Sequence, residues 1–182
     1  RSSGAYFTST TGANFTWAAL DPGTKAALQS SGTGTSVNET TGADRLAYLR
    51  GDRSQEIDDD NPSRPFRQRG SRLGDIVNSD PQYIHKQDFG YNLLSGSAWG
   101  TVGNSYLSFR SSSAYQNRTP LVVVGANDGM LHGFNAGLGS SGGSELFAYV
   151  PRSIAGDLHA LTDPNYTHRS VSYTHLTLPT NR

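Results

Sequence analysis

Leu121-Val122-Val123-Val124-Gly125-Ala126-Asn127-Asp128-Gly129-Met130-Leu131-His132-Gly133-Phe134-Asn135 is the stretch whose reading decides the fold. Leu121 to Val124 is apolar and largely β-branched, the composition of a strand covered on both faces. Asn127-Asp128-Gly129 then supplies residues that tolerate φ > 0, and a second extended run begins at once. The stretch predicts an antiparallel hairpin, Leu121–Ala126 against Met130–Asn135. A glycine-serine turn follows, and Glu145-Leu146-Phe147-Ala148-Tyr149-Val150 before Pro151 predicts a third strand beside the hairpin. His132 shares one strand face with Met130 and Phe134, which predicts a packed, hydrogen-bonded imidazole.

Working outward, the flanks read as loops with short elements. Residues 1–16 alternate aromatic and small polar groups and predict one or two exposed strands. Asp21-Pro22 is a helix-start signal, with a short helix over Thr24–Gln29. Ser30 to Gly42 is a Ser/Thr/Gly linker. A second helix is expected over Asp44–Leu49, with Leu46 and Leu49 on one face and Gly51 in the left-handed position after its end. Residues 52–72, charged and interrupted by proline, read as loop. Leu73–Val77 and Gln82–His85 read as edge strands broken by Asp80-Pro81, Asn104–Phe109 as a further strand, and Ser153–Leu161 as a helix ending at Asp163-Pro164.

Composition narrows the class. Only 34% of the 182 residues are hydrophobic while 21 are glycine, so the core is thin and the turns many, as in a β-rich domain with long loops. Fifteen basic and fifteen acidic residues leave no net field to draw nucleic acid or an anionic membrane. The absence of cysteine removes disulfides and thiolate zinc sites. No apolar run approaches the about 20 residues that span a bilayer.

The order of strand, Asp-Gly turn, strand, glycine-rich turn and aromatic strand resembles the repeat of quinoprotein-type β-propellers. More narrowly, Gly125-Ala126-Asn127-Asp128-Gly129-Met130-Leu131-His132-Gly133-Phe134 followed by Phe147-Ala148-Tyr149-Val150-Pro151 resembles the signature of the PilC/PilY family of type IV pilus assembly factors and tip adhesins. Further blocks are similar in the family's order: Phe15 to Leu28, Tyr48 to Glu56, Phe66 to Arg69, Leu73 to Pro81 and Leu161 to Arg169. In that family they open a much longer carboxy-terminal propeller. The resemblance therefore implies a mainly β fold with short helices, a partial β-propeller holding an entrance segment and about one blade. The expected organisation is a loop-rich entrance segment over 1–72, a first-blade region over 73–170, and a non-native tail over 171–182, which resembles a translated sequencing-library adapter. Gly125, Asn127, Asp128, Gly129, His132 and Phe134 carry the family motif in a structural role.

The motifs that could carry chemistry are few. Gly137-Leu138-Gly139-Ser140-Ser141-Gly142 fits G-x-G-x-x-G, but a strand follows where a dinucleotide site needs a helix N-terminus. Glu56-Ile57-Asp58-Asp59-Asp60-Asn61 offers calcium-type oxygen ligands at Asp58, Asp59 and Asp60, without the alternating spacing that folds carboxylates around one ion. The competing reading is a solvated loop balanced by Arg53, Arg64 and Arg67. Arg50-Gly51-Asp52 is the tripeptide of integrin ligands, and it also sits where a helix cap needs its glycine. The other native histidines, His85, His159 and His168, show no metal spacing, and nothing suggests an activated nucleophile.

What the resemblance implies is a non-enzymatic factor at the bacterial cell surface, pilus tip, or periplasm and outer membrane during export. Its expected partners are pilins, pilus assembly proteins and a host-cell surface receptor, with calcium expected in the full-length parent. The runner-up is part of a quinoprotein-like propeller dehydrogenase. That reading needs axial carboxylates, a stacking tryptophan and calcium ligands around a pyrroloquinoline quinone, whereas Trp17 and Trp99 lie outside the blade pattern.

Overall fold

The structure, a computed structural model, describes residues 4–7, 12–30, 38–77, 79–93 and 97–168. The tail at 171–182 and most of the Ser/Thr/Gly linker lie outside these residues. The strands are β1 (Gly4–Phe7), β2 (Gly12–Asn14), β3 (Gln82–Ile84), β4 (Leu121–Ala126), β5 (Met130–Asn135) and β6 (Glu145–Val150). They form one sheet in the order β2-β1-β6-β5-β4-β3. β4 and β5 are the expected hairpin, closed by a hydrogen bond from Gly129 N–H to Ala126 O at 3.2 Å. Gly129 has φ 82°, the left-handed conformation that the Asp-Gly turn was read to require. β6 returns beside β5 as expected, and β1 joins it in parallel, pairing Ala5 with Tyr149. The fold class follows: a β-propeller part with short helices around its strands.

The chain divides into two compact units. The first comprises residues 1–80, 124–133 and 145–182. Its core joins Phe15, Leu20 and Leu28 with Leu46, Tyr48, Leu49, Phe66, Met130, Val150, Leu158 and Leu161, all of them buried. Helix α1 (Pro22–Leu28) starts where Asp21-Pro22 signalled, the Asp21 carboxylate accepting from Gly23 N–H and Thr24 N–H, a cap worth about 1 kcal/mol. Helix α2 (Glu39–Leu49) starts five residues earlier than the sequence suggested, capped by Asn38, whose side chain accepts from Thr41 N–H at 2.8 Å. Gly42, read as the end of a linker, lies inside α2, at a point where a Cβ would collide with the Trp17 ring. A 3-10 helix, Arg152–Thr162, takes the place of the short helix expected after Pro151 and buries Ala155, Leu158 and Leu161.

The second unit comprises Pro81–Val123 and Phe134–Ser144. There β3 pairs antiparallel with the start of β4, Tyr83 facing Val122. Two expectations fail at this level of local structure. Asn104–Phe109, read as a strand, belongs to helix α3 (Ser97–Ser111), followed by α4 (Ser113–Gln116). The helical face is Gly103, Tyr106 and Arg110, at helical spacing: Gly103 is buried against Asn92, and Tyr106 Oη donates to Asp88 while Arg110 pairs with it at 2.6 Å. Leu73–Val77, in the first unit, is not a strand; it wraps the hairpin turn instead.

Candidate functional site

The turn Asn127-Asp128-Gly129 is held from several directions. The Asp128 carboxylate accepts from Gly74 N–H at 3.0 Å, from Met130 N–H at 3.1 Å, and lies 3.0 Å from His132 Nε2. On the far side of the imidazole, His132 Nδ1 stands 2.7 Å from Glu145 Oε1. His132 has no exposed surface, so the ring bridges two carboxylates inside the protein and ties the turn to the start of β6. The packed histidine read from strand alternation is there, with both ring nitrogens bonded. Asn127 N–H donates to Asp75 O at 2.9 Å, and Gly125 N–H to Ser79 Oγ at 3.0 Å, so the segment after Arg72 is stitched along the turn. Gly74 comes so close that a Cβ would overlap the Asp128 backbone. Phe134, the last of the motif residues, is half-buried on β5. Of the other blade residues, Val124 is buried, and Val122, Phe147 and Tyr149 are half-buried.

Arg50-Gly51-Asp52 ends α2. Gly51 has φ 103°. Its N–H donates to Tyr48 O at 2.8 Å, and Asp52 N–H donates to Ala47 O at 3.0 Å, the two bonds of a Schellman cap. Arg50 Nη1 donates to Phe15 O at 2.6 Å, and the Asp52 carboxylate accepts from Ser54 N–H at 2.7 Å, the bond that chiefly holds its pKa below the ordinary carboxylate value. Gly51 is buried while Asp52 is exposed, so the tripeptide is part of a helix end and not the tip of a loop.

The acidic run splits. Asp58 accepts from Asn61 Nδ2 at 2.9 Å and pairs with Arg64, and the Asn61 bond is the main cause of its lowered pKa. Asp59 and Asp60 are exposed. Among the described residues no group of three or more His, Asp or Glu side chains stands close enough to hold a metal ion. Glu56, read with the same run, is instead 4% exposed and paired with Arg69, which is 8% exposed. Arg69 Nε and Nη2 both lie 2.6 Å from Glu56 Oε1. Nη1 also donates to Tyr48 O and Nη2 to Asp52 O, each at 2.7 Å, and the guanidinium Cζ lies 3.6 Å from the Tyr48 ring centroid. Burial raises the Tyr48 hydroxyl's pKa above its ordinary value, opposed by Arg67 and Arg69. Arg67, expected to balance the acidic loop, donates instead to Leu161 O at 2.8 Å. Sequence reading missed the Glu56–Arg69 pair; its partners are thirteen positions apart with no periodic relation, and only the bend of the 52–72 loop joins them.

Tyr48, Arg67 and Arg69, with the segment 70–75, Asn127, Asp128, Leu161, Tyr166 and His168, line a cavity of about 220 Å³ in the first unit. No helix among the described residues is long and apolar enough to cross a membrane.

Residues 73–173 match the PilY1 beta-propeller domain family. The chain is 40% identical over 152 residues to the type IV pilus biogenesis factor PilY1 of Pseudomonas aeruginosa strain PAK, covering 84% of this chain and 12% of that protein. It is 43% identical over 127 residues to a type IV pilus biogenesis factor PilY1 homolog of Xylella fastidiosa strain Temecula1, covering 70% of this chain and 9% of that one. The chain thus spans 12% or less of the length of these two relatives. No solved structure matches it. The matched span contains the hairpin, its Asp128–His132–Glu145 bridge and the returning strand β6, and on that match the chain belongs to the PilY1 β-propeller family.

Proposed function

We propose that this chain serves type IV pilus biogenesis as a non-enzymatic part of a longer surface protein, working through contacts with pilins and pilus assembly proteins at the cell surface, the pilus tip or the periplasm. The observation that carries this reading is the family match over residues 73–173, which takes in the whole hairpin and its buried bridge. The site chemistry agrees with a contact role: among the described residues the histidine held between two carboxylates, His132, has no surface from which to reach a substrate. Adhesion to a host-cell receptor and calcium binding are proposed for the whole protein. Asp52, the exposed member of Arg50-Gly51-Asp52, and the acidic loop Asp58-Asp59-Asp60 are the places in this chain where those roles would be sought.

The test is a chromosomal deletion of the full-length gene. Surface piliation and twitching should fall while major pilin synthesis stays intact. Unchanged twitching and adhesion would refute the proposal, and quinone-dependent dye reduction by the purified full-length protein would replace it with the dehydrogenase reading.

A further inference from the structure

Three arginines line the 220 Å³ cavity, and they are held differently. Arg69 is paired with Glu56, and Arg72 is exposed, its Nε donating to Gly51 O at 2.9 Å. Arg67 is fixed on two sides: Nε donates to Leu161 O at 2.8 Å, and Cζ stands 4.6 Å from the Tyr166 ring centroid. Its Nη1 and Nη2 have no acceptor and no carboxylate partner among the described residues. The end of this guanidinium is a planar fork, already oriented and with its donors unspent, and such a fork matches the two oxygens of a carboxylate.

The rest of the wall narrows the ligand. Ser71 Oγ accepts from Leu73 N–H at 3.2 Å and keeps its own O–H to donate, and His168 is exposed with no hydrogen bond among the described residues. Of the two carboxylates in the wall, Asp128 is bonded to Gly74, Met130 and His132, whereas Asp75 is exposed and its side-chain oxygens have no partner among the described residues. Asp75 opposes negative charge in the cavity, so a singly charged carboxylate suits the site better than a phosphate. Tyr48, Leu49 and Leu161 put carbon in the same wall, cover for an apolar body attached to that carboxylate. The Asn127 carboxamide takes no part, since its atoms have essentially no accessible surface.

We propose that this cavity binds a carboxylate with an apolar body, its two oxygens held by Nη1 and Nη2 of Arg67. A free organic acid and the C-terminal residue of a polypeptide share that chemistry. The site is defined by its ligand and stands apart from the pilus reading.

The test uses the 182-residue chain and N-acetyl-leucine as the probe, following the main-chain amide resonances of residues 70–73 by NMR at fixed pH. The probe should shift them saturably, and N-acetyl-leucine methylamide, the same body without the carboxylate, should leave them unmoved. Arg67→Lys keeps the charge and loses the fork, and should weaken binding about tenfold. Asp75→Asn, at an exposed side chain with no bond to lose, should tighten it about threefold, which decides the matter even if Arg67→Lys does not fold. Isocaproate, the same acid without the amide, binding as tightly as N-acetyl-leucine would assign the site to a free acid, and weaker binding to a chain terminus; both uphold the carboxylate. No shift with N-acetyl-leucine, an equal shift with the methylamide, saturation by inorganic phosphate alone, or binding in Asp75→Asn no tighter than the parent's would overturn it.

Discussion

Glu56 and Asp58 stand two positions apart in one acidic run, and each has an arginine partner, yet the two pairs are different objects. Arg69 and Glu56 are almost wholly enclosed, and the guanidinium also binds two main-chain carbonyls and the face of Tyr48. Arg64 and Asp58 remain about a third exposed, 31% and 39% at the side chain. Water and salt screen the second pair and leave the first alone. Removing one partner of an enclosed pair strands the other charge without its hydration, whereas removing one partner of an exposed pair returns the other to solvent. The run thus serves as framework at one residue and as surface two residues later.

Four substitutions break or sharpen that comparison. Arg69→Ala should have the largest effect, on the order of 3 kcal/mol, since it removes the enclosed partner of Glu56 and leaves that carboxylate only the longer contact to Arg53 at 3.7 Å and the main-chain N–H of residue 69. In a chain of this size that lowers the thermal midpoint by on the order of 10 °C. Next comes the backbone that positions Arg69's acceptors: Gly51→Val should cost ~1 kcal/mol or more, since a β-branched residue resists the positive φ that ends α2. Gly129→Val should cost at least as much, because its Cβ would also press on Ile154 and Leu158. Arg64→Ala should leave the midpoint unchanged within error. Differential scanning calorimetry of the four chains orders them; equal losses for Arg69→Ala and Arg64→Ala would show that burial does not separate the pairs.

The same contrast explains what the sequence disclosed. The hairpin was legible because its determinants are local: a β-branched run, residues suited to φ > 0, and a return strand, all between Leu121 and Asn135. The cap at Gly51 was legible for the same reason. Helix α3 was not, because its buried face centres on Gly103, which has no side chain to register as apolar, while Leu107 and Phe109 are 45% and 54% exposed. Their alternation with Ser108 imitated a strand. The enclosure of Glu56 and the cavity that Arg67 lines were hidden for a deeper reason, since each depends on chain segments that come together only when the 52–72 loop and the segment after it have folded around α2 and the hairpin turn. His132 was placed correctly, but its carboxylate neighbours Asp128 and Glu145 belong to different strand ends and could not be joined from spacing alone.

The claim that matters most is that this region, as a folded unit held by buried charge, is required for pilus biogenesis. The direct measurement is surface pilin, sheared and quantified against whole-cell pilin, in two strains whose full-length gene carries Arg69→Ala or Arg64→Ala. The account predicts that Arg69→Ala depletes surface pilin with whole-cell pilin unchanged and that Arg64→Ala matches the parent strain. Surface pilin at the parental level in the Arg69→Ala strain, with the variant protein shown to be destabilised, would contradict it.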